Sequence, residues 1–194
     1  MKKNIALVIL ALMCVLALAA CSPAAPPPAE TPVESTTPDE TNQTIGLPNP
    51  VVEVASYEEL QQNVPGAAIV MPPKDAAAVR YSYIKNTDGS IMLAQINFSY
   101  NANTYTYRCA LCKDEAGIQK IDGMNYTFTH TETVELPDGV KYKLETYDAE
   151  GAGVATWYSA VEQCQYSLST ITSADAATVI KDVVPLLAST NASV

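Results

Sequence analysis

Ile91-Met92-Leu93-Ala94-Gln95-Ile96-Asn97-Phe98-Ser99-Tyr100 is the stretch that decides the fold. Met92, Ala94, Ile96, Phe98 and Tyr100 alternate with Gln95, Asn97 and Ser99, a period of two that lays one apolar stripe along one face of an extended strand. The pattern returns downstream. Thr104, Thr106 and Arg108 alternate with Tyr105, Tyr107 and Cys109, and Tyr126, Phe128, His130 and Val134 alternate with Thr127, Thr129, Thr131 and Thr133. Val140, Tyr142 and Leu144 then oppose Lys141, Lys143 and Glu145, and Ala155 to Val161 with Cys164 to Thr170 supplies a further pair. One-sided stripes of this kind belong to antiparallel strands packed on one face and wet on the other. Asp88-Gly89, Asn101 to Asn103, Pro137-Asp138-Gly139 and Glu150-Gly151-Ala152-Gly153 separate them with residues that tolerate positive φ, so hairpins are expected.

Helical signals flank the strands. Ser56 with Glu59 three residues on is a capping-box signature, and Pro65-Gly66 closes the short helix it starts. At the other end Thr172-Ser173-Ala174-Asp175 opens a helix whose Ala177, Ile180, Val183, Val184 and Leu187 lie near one face, with Lys181 and Asp182 turned away. Pro185 is expected to kink or end it. The expected class is α+β: a curved antiparallel sheet of about six or seven strands, with a short N-terminal helix and a C-terminal helix packed on the sheet.

Ahead of this domain, expected over residues 51–194, stand two segments of different character. Residues 21–50 form a tether: positions 22 to 50 hold eight of the thirteen prolines, four acids and no base. Val33, Ile45 and Leu47 are the only large apolar side chains there, too few to offset the entropy of ordering. Residues 1–20 read as a lipoprotein signal peptide, with Lys2-Lys3, the apolar run Ile5 to Ala17, and Leu18-Ala19-Ala20 set directly against Cys21. Cleavage between Ala20 and Cys21 would leave the Cys21 thiol carrying a diacylglycerol, palmitate being a typical acyl chain. Two acyl chains give a stable anchor where one would not. The chain is therefore expected at the extracytoplasmic face of a cell membrane, held by lipid. Removing residues 1–20 takes two bases and no acid, leaving nine bases against 21 acids. Such a balance repels nucleic acid, so no nucleic-acid partner is expected.

Several short passages resemble an uncharacterised family of bacterial extracytoplasmic domains. They are Asn49-Pro50-Val51-Val52-Glu53-Val54, Ser56-Tyr57-Glu58-Glu59, Tyr105-Thr106-Tyr107-Arg108, Ala155-Thr156-Trp157 and Tyr166-Ser167-Leu168-Ser169. The family is found in Gram-positive lipoproteins and at the outer ends of membrane proteins similar to anti-sigma factors. The resemblance implies an α+β fold with a curved antiparallel sheet and carries over no catalytic residue.

Chemistry finds few candidates. The lone His130 shares a stripe with Tyr126 and Phe128 and reads as a core or rim residue rather than a base. One histidine also excludes a metal site built from several imidazoles within the chain, and no Gly-x-Ser-x-Gly elbow surrounds any serine. No catalytic residue, metal or cofactor is assigned. Three thiols remain in the domain, at Cys109, Cys112 and Cys164. Strand parity puts Cys109 and Cys164 on inward faces, which makes them the candidate disulfide, with Cys112 to Cys164 left open. Tyr81 with Tyr83 and Tyr105 with Tyr107 form ladders that, together with Trp157, mark a candidate ligand groove if the sheet curves. The expected function is a non-enzymatic binding or sensory module for an envelope protein, peptide or lipid. The alternative is a cell-envelope hydrolase or thiol-redox enzyme using acids or Cys109 and Cys112.

Overall fold

The computed structural model describes residues 50–117, 119–171 and 175–188; the signal segment, Cys21 and all but the last residue of the tether lie outside them. Chain order is β1 (Val51–Val54), α1 (Tyr57–Asn63), β2 (Ala77–Lys85), β3 (Ile91–Tyr100), β4 (Asn103–Leu111), β5 (His130–Glu135), β6 (Lys141–Tyr147), β7 (Ala152–Ser159), β8 (Cys164–Thr170) and α2 (Ala176–Ala188). The strands form one antiparallel sheet in the order β1-β2-β3-β4-β8-β7-β6-β5, curved but not closed, with both helices packed near it. There are eight strands, not six or seven. The addition is β1, a four-residue edge strand whose Val52 and Val54 pair with Tyr83 and Tyr81.

Pairing register sorts the side chains into two faces. On the first, Tyr83, Ala94, Cys109, Tyr166, Trp157 and Tyr142 follow one another across the sheet. This face carries the main core, closed by Leu60 of α1, by Val64, Ile69 and Val70, and by Ile180, Val183, Val184 and Leu187 of α2. On the second face the corresponding row reads Ser82, Gln95, Arg108, Ser167, Thr156, Lys143 and Thr133. A sheet with an apolar row on one side and a polar row on the other leaves the second side free to carry a site.

Local chemistry explains the element ends. Glu59 N–H donates to Ser56 Oγ at 3.2 Å, and the Glu59 carboxylate reaches back to Ala55 N–H at 2.8 Å, so the capping box forms one residue wider than its usual reciprocal pair. At α2 the Asp175 carboxylate accepts from Thr178 N–H at 3.0 Å, which holds its pKa below the ordinary value. The helix runs through Pro185 to Ala188 instead of stopping there. Proline removes one backbone donor, but the turn beyond it buries Leu187 and Ala188. Gly153 of β7 lies under α2 with no room for a side chain, a Cβ there standing 2.9 Å from both Ala176 Cβ and Ile180 Cδ1.

The β3–β4 hairpin turns at Asn101-Ala102, with φ of 47° and 63°. Two positive φ values at a two-residue turn define type I′, which favours glycine second. Ala102→Gly is therefore expected to stabilise the domain by about 1 kcal/mol, because alanine is strained in the left-handed region. Urea unfolding of the two proteins checks this; an unchanged midpoint would contradict it.

Candidate functional site

The second face is bridged by the connection from β4 to β5. The sequence pattern places a strand from Tyr126, yet β5 begins at His130. Tyr126 and Phe128 instead pack with Met124, Ala152 and Val154 on the second face, with the Tyr126 ring 5.8 Å from that of Tyr147. Burying these rings against β7 outweighs extending β5 along an edge already exposed to water.

Arg108 fastens the middle of the connection. Its Nε donates to Gln95 Oε1 and its Nη1 to Ile121 O, each at 2.8 Å. Burial lowers the Arg108 pKa while the nearby Asp122 carboxylate opposes that shift. Asp122 Oδ1 also accepts from Met124 N–H at 2.7 Å, which makes the turn at Asp122-Gly123. Gly123 has φ of +68°, and a Cβ on it would collide with the Arg108 guanidinium. Gln119 N–H donates to Gln165 Oε1 at 2.8 Å, tying the connection to β8, and Ile121 is buried with Leu93 and Ala110.

Between this connection and β5 to β8 lies a groove of about 800 Å³. The sheet contributes Thr133, Lys141, Lys143, Thr156, Tyr158 and Gln165, and the connection contributes Gln119, Lys120, Asp122, Tyr126 and Phe128. Each lysine faces an acid: Lys143 Nζ stands 2.8 Å from Glu145, Lys141 3.3 Å from Glu135, and Lys120 4.0 Å from Asp122. Burial, then the nearby Cys112, Asp114 and Glu115, raises the Tyr158 pKa, so its hydroxyl stays protonated and able to donate. Among the described residues, one buried side-chain polar atom has no hydrogen-bond partner, Ser167 Oγ. It lies in register between Arg108 and Thr156, next to the groove's floor.

Of the residues singled out from sequence, Trp157 is among those lining this groove, and the others lie elsewhere. Tyr83, Tyr105, Tyr107 and Trp157 are all on the first face with exposures of 8, 1, 1 and 6%, and Tyr81 is half-buried beside Tyr57. Val70 N–H donates to Tyr107 Oη at 3.2 Å and Tyr105 Oη donates to Val179 O at 3.4 Å, so the chain after α1 and α2 itself lie over these rings. Cys109, Cys112 and Cys164 are buried thiols. His130 is exposed on β5, 3.6 Å from Asp148, and no longer shares a surface with Tyr126 and Phe128. Sequence reasoning missed the groove because it is built by side chains of the polar row and by an irregular connection. Asp122-Gly123, a turn pair inside residues 113–125 where no alternation runs, was the available signal.

Compared with protein-family models, curated proteins and solved structures, the chain matches none. Among the described residues no three His, Cys, Asp or Glu side chains stand close enough to share a metal ion. No helix among them is long and apolar enough to cross a membrane.

Proposed function

We propose that this chain is a lipid-anchored extracytoplasmic module that binds an envelope component in the groove between the β4–β5 connection and β5 to β8, without chemistry of its own. The observation that carries the reading is the groove's composition. Lysine and acid pairs, amide and hydroxyl donors and the aromatic residues Tyr126, Phe128 and Tyr158 converge on one concave surface, beside a buried hydroxyl left unpaired. Balanced charges suit a ligand that is itself neutral or carries both signs, such as a peptide or headgroup, because a single-sign ligand would meet as much repulsion as attraction. Anchoring through diacylglycerol on Cys21 and likeness to the outer domains of anti-sigma-like proteins belong to the same proposal.

Native mass spectrometry of the full-length protein, extracted in mild detergent from bacterial envelope, tests it. The wild type is expected to carry a bound small component, and Lys143→Glu combined with Tyr158→Ala is expected to lose it with the circular dichroism unchanged. Bare protein in both preparations, or the same adduct retained by the variant, would overturn the groove as the binding site.

A further inference from the structure

The two halves of the sheet meet at a single seam, and a pair of buried thiols sits on it. β1 to β4 and β5 to β8 each run from strand to neighbouring strand, and the β4–β8 pairing alone joins them. On that seam Cys109 is opposite Tyr166 and Cys164 is opposite Leu111, which makes the two cysteines diagonal neighbours on the first face. Both sulfurs meet the backbone of the same residue in the chain after α1, Ala68. Cys109 Sγ–H lies 3.7 Å from Ala68 O, and Ala68 N–H donates to Cys164 Sγ at 3.4 Å.

Cys112 is placed quite differently. It follows β4 on the parity of Arg108 and Ala110, its Sγ–H donates to Asp114 O at 2.9 Å, and Gly117 lies beside its sulfur. The sheet stands between it and Cys164, which removes the second pairing that the sequence leaves open.

We propose that Cys109 and Cys164 are joined by a disulfide in the exported protein, a covalent staple across the seam between the two halves of the sheet, with Cys112 left as a thiol. The proposal rests on the extracytoplasmic placement given above, since such bonds persist in oxidising compartments. Two S–H bonds break and one S–S bond forms. Two electrons and two protons pass to the disulfide of an external thiol–disulfide exchange oxidant, which leaves as a dithiol. When the Cys109 S–H is lost, Ala68 O still lies 3.3 Å from the Tyr166 hydroxyl, whose one proton it shares with Glu162 Oε2 at 2.6 Å.

Both sulfurs are fully buried, so the exchange belongs to folding, before the chain after α1 closes over the seam. The seam is the pairing that closes the longest stretch of chain, some 55 residues, and long-range pairing of this kind forms slowly. Once closed, the bond is shielded from reductant.

Peptide mapping of full-length protein from bacterial envelope, alkylated without reductant, is expected to give a 109–164 crosslink and one alkylated cysteine at 112. Dithiothreitol is expected to open it only with denaturant present, and Cys109→Ala combined with Cys164→Ala is expected to lower Tm by about 10 °C. Full-length protein refolded from urea with oxidised and reduced glutathione separates the two claims. A crosslink there but three thiols in the envelope material supports the pairing and overturns the placement. Three thiols in both, or Cys112 in the crosslink, overturns the disulfide.

Discussion

Gly123→Ala is expected to destabilise the domain by about 3 kcal/mol and to loosen the connection that forms the groove wall. Two costs add. At φ of +68° a side chain is strained by about 1 to 2 kcal/mol, and its Cβ would meet the Arg108 guanidinium, an overpacking worth about 1 to 3 kcal/mol. An arginine head can usually swing aside, but this one is held by Gln95 and Ile121 O, so moving it breaks two hydrogen bonds in a partly buried setting. Urea unfolding measures the stability, and amide exchange over residues 119 to 129 measures the loosening. A double-mutant cycle isolates the contact: with Arg108→Ala already present, Gly123→Ala is expected to cost only the backbone strain. A single-variant loss below about 0.5 kcal/mol would show that the connection does not depend on this contact.

Trp157→Ala is expected to cost about 4 kcal/mol, the loss typical of a large aromatic removed from a packed core. Trp157 is 6% exposed and stacks on Tyr166 with ring centroids 5.3 Å apart and planes 18° apart. The Tyr107 ring lies 6.5 Å away, itself stacked on Tyr166 at 6.2 Å. These three rings lie on β4, β8 and β7, so the cavity would open where the two halves of the sheet join. A fall in Tm of about 10 °C, followed by far-ultraviolet circular dichroism, is the expected readout. A fall of less than about 3 °C would mean that neighbouring side chains collapse into the space.

Much of the architecture was legible because it rests on period-two alternation. Met92 to Tyr100 and Val140 to Leu144 show their inward faces in the order of their side chains, and register then lines them up across the sheet. Both helices were marked by capping residues whose hydrogen bonds are present. β1 was not legible, since four residues, three of them valine, are too short to show a period. Tyr126 and Phe128 misled for the opposite reason: their alternation with threonine suits a strand, but a tertiary contact with Ala152 and Val154 takes them across the second face. The tyrosines were read as ligand contacts because curvature alone does not reveal what fills the curve. Here Ile69, Val70 and α2 fill it. The groove was hidden because Gln119, Lys143, Thr156 and Gln165 come from three strands and a loop, and nothing in local spacing brings them together.

Metabolic labelling with a palmitate analogue tests the placement on which both the envelope ligand and the disulfide depend. Wild-type protein is expected to take up label and to fractionate with the membrane, while Cys21→Ser is expected to take up none. An unlabelled wild type, or a Cys21→Ser protein labelled as strongly, would contradict it.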